Sequence, residues 1–393
     1  MSEANQTKRK KSEKKSGKRR RHIKINKVSL FILIISVIFI FNFDLVGRSL
    51  RSSISFGNVK IENTYSYEFK SNLDYKSATI VNSTSDYTIV KDEDTLYFYD
   101  LNMEMKWKKE INASEVIIKS SGDLIIVANR LAGDVFTINK KGEILGKQLS
   151  MGKIEDVIVS ESDKFLVYFE ENGLAKVLNK TAATESEILV PGYNVTSLDI
   201  SSKDDVIAIS LYKVENETVF SSIMTYSMDG NLTGIMNKED QIIYELEIVS
   251  DSIVVVTDKG ISRYSFANEP LFEDYLFERE LSSFSIDKLG NVVVNLIIEA
   301  KDIADTRSDN VLIIVDTLGK VVLDLEIDNT IQKMTKYGSR TGYFADGKLY
   351  ILDELGAVLG IQLIKENPSS ISWIDDSKIG ILYNDSYDLF DLK

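Results

Sequence analysis

The 393-residue chain has no cysteine, three prolines, two tryptophans and a single histidine. Without cysteine no disulfide can staple the fold, and thiolate nucleophiles and thiolate metal ligands are excluded. The histidine is His22, so everything after it lacks imidazole too. A Ser-His-Asp or Cys-His triad, or a His-ligated zinc or iron site, cannot be assembled there. No Gly-rich phosphate loop or dinucleotide fingerprint stands at a strand-to-helix junction, which argues against nucleotide chemistry. Pro191, Pro270 and Pro368 all fall between strand-like segments, where a missing N–H costs no ladder bond.

What is present is uneven in charge. Residues 1–27 hold twelve Lys/Arg against Glu3 and Glu13, whereas residues 45–393 hold 35 Lys/Arg against 57 Asp/Glu. Between them Val28 to Phe41 runs VSLFILIISVIFIF, and with Asn42 and Asp44 tolerated the stretch extends to Gly47. That length, about 20 residues, crosses a ~30 Å hydrocarbon core as a helix. No small-x-small cleavage site follows it, so a retained signal-anchor is expected rather than a removed signal peptide. The basic side should stay in the cytoplasm and the acidic body outside the membrane. The expected organisation is a disordered basic head over 1–27, a transmembrane helix over 28–47, a polar linker over 48–58 and an extracytoplasmic domain over 59–393. Lys18, Arg19, Arg20, Arg21, Lys24 and Lys27 cluster where they can meet anionic lipid, or can simply set topology.

The body repeats one phrase: a short alternating strand, a turn of Ser/Asp/Gly/Asn, then a run of β-branched and aromatic residues. Copies begin at Ala78, Ser114, Ile154, Val195, Tyr244, Ser282, Ile331 and Ser369, about 42 residues apart on average. This is the spacing of four-stranded propeller blades. A third strand ends in Asp, Asn or Ser, often with Gly three residues on, as in Asn139 to Gly142, Ser227 to Gly230, Asp316 to Gly319 and Asp353 to Gly356. Such a Gly supplies the left-handed residue of a three-residue hairpin. The last copy stops at Lys393 one strand short, while a spare alternating segment, Ile61 to Phe69, precedes the first. The two ends together would complete one blade and leave no open edge. The expected fold is all-β, an eight-bladed β-propeller, with seven blades as the alternative because the Tyr244 copy is compressed.

Thr95 to Trp107 (TLYFYDLNMEMKW) and Gly347 to Gly360 (GKLYILDELGAVLG) resemble the G-x-LY-x-x-D-x-x-G-x-x-x-W pattern of quinoprotein-like propellers. Leu96, Tyr97, Asp100 and Trp107 match in one copy, and Gly347, Leu349, Tyr350, Asp353 and Gly356 in the other; the other copies lack the Trp. The resemblance implies blade-to-blade docking by these residues, and it carries over fold and not cofactor. The whole plan also resembles an uncharacterised clostridial-type family of single-pass, membrane-anchored β-propellers, which implies no activity.

The remaining chemistry is that of oxygen ligands: a carboxylate pair for glycoside cleavage, or a calcium site. Asp92, Glu93, Asp94, Asp204 and Asp205 stand in turn-like stretches, where solvation and turn geometry already account for acidic residues. No cofactor is expected, calcium being left open, and no catalytic or metal-binding residue is assigned. Trp107 and Trp373 could stack on sugar rings, but both lie in repeat strands, where core packing is the simpler role. Two copies are longer between their second and third strands: KVENET from Lys213 and EAKDIADTRSDN from Glu299. Lys213, Glu215, Glu217, Glu299, Asp302, Asp305 and Asp309 are therefore the candidate partner-face residues. The expected role is a non-enzymatic interaction or scaffold module of the cell envelope with an envelope protein as partner. The alternative is a binder of wall polysaccharide or peptidoglycan fragments, and behind it a quinoprotein-like enzyme. The acidic body opposes binding of nucleic acid.

Overall fold

The computed structural model describes residues 59–68, 80–83, 86–190, 194–298 and 310–393, apart from positions 93, 101, 103, 112, 114, 204, 273 and 385. The head, the apolar run Val28 to Gly47 and the linker lie outside the described residues, as do Glu299, Asp302, Asp305 and Asp309. Among the described residues no helix is long and apolar enough to cross a membrane.

The described residues form thirty-two strands in eight four-stranded antiparallel sheets, each an unbroken meander except the last. In chain order the blades span residues 80–110, 116–148, 156–189, 194–239, 243–276, 280–327, 333–363 and 370–392. The eighth takes its outer strand from the start of the domain: Ile61–Glu68 pairs antiparallel with Ser386–Leu392, from Ile61 opposite Leu392 to Glu68 opposite Ser386. Lys60 and Lys393 exchange backbone hydrogen bonds at 2.8 and 2.9 Å, and Lys393 Nζ reaches Glu62 at 2.6 Å. Hydrogen bonds from Lys393 and Lys60 hold the Glu62 carboxyl down at about 2. The ring is thus an eight-bladed propeller closed by its own two ends. The compressed copy is a full blade with a stunted outer strand, Tyr275–Leu276. Its third strand is covered instead by the preceding loop, where Leu271 N–H bonds Arg263 O at 2.8 Å and Pro270 bridges Tyr264.

The apolar core lies between blades and not within them. Each of the eight junctions holds its own cluster, because strand residues alternate between the two neighbours. In Lys164–Phe169 of the third blade, Phe165, Val167 and Phe169 pack on the second blade, while Leu166 and Tyr168 pack on the fourth. Middle strands buried on both faces read as continuous apolar runs, such as Leu124 to Ala128.

The third-to-fourth turns explain the repeated Asp/Asn-x-x-Gly. Asp316 Oδ1 accepts the N–H groups of Leu318 and Lys320, both at 2.9 Å, and Asp353 Oδ1 does the same for Leu355 and Ala357 at 2.9 and 2.8 Å. Gly142, Gly230, Gly319 and Gly356 follow with φ near +80°, followed by the register shift of a bulge. Each turn also receives the blade before it. Trp107 Nε1 donates to Lys140 O at 2.8 Å, its ring lying against Gly142. At other junctions the carbonyl at this same turn position accepts from Thr137 (Lys180 O, 2.7 Å), Ser186 (Met228 O, 2.6 Å) and Arg263 (Thr317 O, 3.3 Å). Trp107 therefore docks blade to blade as the resemblance implied, and smaller donors take over where Trp is absent. Trp373 likewise packs between blades, donating to Thr335 O at 3.3 Å.

Candidate functional site

Four antiparallel strands per blade sort the connections onto two faces. Second-to-third hairpins and blade-to-blade crossings share the face where the innermost strands begin; the other two turn classes share the opposite face. Consecutive first strands touch one another at six of the eight junctions, so they line the centre.

On the first of these faces the long copy differs from its expected loop. The strands themselves are extended, Ile207–Glu215 pairing with Thr218–Tyr226 in full register. Only Asn216 and Glu217 form the tip, at φ 51° and 68°, the geometry of a tight two-residue hairpin turn matched to strand twist. A polar, charged sequence reads as loop, but cross-strand pairing overrides it. Lys213 Nζ pairs with Glu215 at 2.8 Å and stands 5.7 Å from the Phe220 ring. Lys213, Glu215 and Glu217 sit together on this hairpin, and none of them is among the residues that line the axial cavity.

The concave site is on the axis. A cavity of ≈ 730 Å³ runs along the first strands of blades two to five. Toward the face where those strands begin it is lined by Arg130, Glu155, Asp156, Thr196 and Tyr244, and deeper by Lys119, Asp199 and Glu247. Its wall is built by side chains that satisfy the free edge of the next blade. Ser197 Oγ accepts Leu246 N–H at 3.2 Å, and Asp199 Oδ2 accepts Ile248 N–H at 2.6 Å while Oδ1 accepts Ile200 N–H at 2.8 Å. The same device recurs two junctions on, between blades six and seven, where Ser285 Oγ accepts Lys336 N–H at 3.2 Å and Asp287 stands 3.4 Å from Lys336 Nζ.

These positions make the lumen carboxylates weak acids. Burial raises Asp199 to about 6 against the pull of its two N–H donors. Burial, then the charges of Asp199, Glu245 and Asp287, pushes Glu247 to about 8. Glu245 is open to water on its lumen side, yet enough protein surrounds it that its carboxyl is raised too, eased by Lys119. Arg130 is committed to Glu155, bonding its carboxylate at 2.5 Å and its carbonyl at 3.0 Å. Among the described residues no three Asp, Glu, His or Cys side chains converge as a metal site, so no calcium position is assigned.

Sequence reasoning missed this lining. The available signal was acidic residues inside first strands, as in SLDIS and ELEIVS, where turn geometry cannot account for them.

A family model described as "Family of unknown function (DUF5711)" matches residues 58–388. The chain belongs to this family. No curated protein matches its sequence. Among solved structures it is similar to the C-terminal WD40 domain of Sif2, at 13% identity and TM-score 0.62 over 86% of this chain and 99% of that one. It is also similar to BamB from Moraxella catarrhalis, at 12% identity and TM-score 0.56 over 84% and 100%. The computationally designed Ika8 protein matches at 13% identity and TM-score 0.59 over 82% and 98%. At such identities the likeness is one of fold, a WD40- and BamB-type propeller.

Proposed function

We propose that this DUF5711 member is a membrane-tethered, extracytoplasmic β-propeller that serves as a protein-interaction or scaffold module in the envelope of a clostridial-type Gram-positive bacterium, without enzymatic activity. The observation that carries the reading is the self-closed ring. Eight blades locked by the pairing of the domain's first and last strands give a rigid platform, and the polar residues that recur from blade to blade are spent on turns and docking. The apolar run Val28 to Gly47, with twelve basic residues before it, supports the tether and the orientation. The absence of cysteine makes the topology directly testable. In intact cells an impermeant maleimide should label Glu217→Cys and leave Ser12→Cys unlabelled until the cells are lysed; the reverse pattern, or labelling of neither before lysis, overturns the orientation.

A second reading, binding of wall polysaccharide or peptidoglycan fragments, is favoured by one observation, the axial cavity. Its volume lies within the roughly 300–1,000 Å³ of pockets that hold small molecules.

A further inference from the structure

The cavity lining is mixed in a way that a metal site or an anion site would not be. Lys119 and the Tyr244 hydroxyl offer donors, Asp156 and Glu245 offer acceptors, and Tyr244 adds a ring that is 47% exposed, while the Thr196 hydroxyl is already bonded to Ser210 Oγ at 2.7 Å. The side-chain carboxyls of Glu245 and Glu247 have no hydrogen-bond partner among the described residues. Carboxylates outnumber cations, and Arg130 is already held by Glu155, so a phosphate- or sulfate-bearing polymer is repelled. The groups are mounted on paired strands and not on loops, which fixes them before any ligand arrives.

We propose that the axial cavity is a saccharide site that takes a short neutral glycan, its hydroxyl groups bonding Asp156, Glu245 and Lys119 and one sugar face lying on Tyr244. An aromatic ring with a polar tip suits a ligand that is apolar on its C–H face and hydroxylated at its edge. Glu247, kept largely protonated at neutral pH, can donate to a ring oxygen as well as accept. The proposal deepens the second reading above and is independent of the scaffold reading.

The test is calorimetric titration of the full-length chain in lipid nanodiscs with N,N′-diacetylchitobiose and maltotriose, beside a sulfated disaccharide and spermidine. A neutral saccharide should bind with a dissociation constant below about 1 mM, and Tyr244→Ala and Glu245→Ala should each weaken it at least about tenfold. Both side chains are exposed, so unchanged thermal unfolding is expected of both variants. The proposal is overturned if no neutral saccharide binds, if both variants bind as the parent does, if the sulfated sugar binds equally well, or if only spermidine binds. Wall glycan that the full chain retains despite both substitutions would keep the second reading and remove it from the cavity. Partner capture in cells is unaffected by any of these outcomes.

Discussion

Individual side chains decide how the blades are joined and how the centre responds to pH. Trp107 stacks on Phe98 at 5.0 Å between ring centres and bonds the next blade, so Trp107→Ala should cost about 3 kcal/mol in urea unfolding. Trp107→Phe, which loses the indole N–H but keeps a ring, should cost about 1 kcal/mol. Equal losses would mean that the hydrogen bond to Lys140 contributes nothing beyond packing. In the lumen, Glu247 has a folded value near 8 against an ordinary 4.5, so folding favours its protonated form. Its contribution to stability is complete below about pH 4.5 and is lost as pH rises through 8. Asp199 acts in the same direction between about 3.8 and 6. The unfolding temperature should therefore fall between pH 5 and pH 8.5, and Glu247→Gln should flatten that fall; an identical pH profile in the variant would remove the lumen carboxylates as its cause.

At the scale of strands and turns, closure is the feature with the largest consequence. Deleting residues 59–68 would strip the partner from Ser386–Leu392, whose edge would then be open to other chains. Such a truncation should aggregate, whereas removal of residues 1–54 should leave a monomeric, cooperatively unfolding domain; a well-behaved protein lacking residues 59–68 would show that the eighth blade stands on three strands. This closure was legible in the sequence, because strand alternation is a local signal repeated in all eight copies and the Asx/Ser-x-x-Gly turn recurs in four of them. The hairpin at Lys213 was not, since residues that read as a solvated loop form a ladder once a partner strand faces them. Nor was the cavity. Asp199 and Glu247 each look like the polar half of an ordinary alternating strand, and only the ring brings four such strands around one axis.

At the scale of the whole molecule, the described residues form a self-closed propeller, and the proposed tether precedes it in the sequence. The two loop faces are unlike: one has turns tied to neighbouring blades, the other carries the long hairpin and the cavity's outer residues. An interaction module with this plan should fractionate with membranes and lose that association when residues 1–47 are removed, the propeller remaining folded. The most direct measurement of the central claim is in-cell cross-linking with affinity capture of the full-length chain, compared with a control that ends at Asn58. The account predicts an envelope protein recovered reproducibly with the full chain and absent from the control. Recovery of the same proteins with both chains, or of none with either, would contradict it.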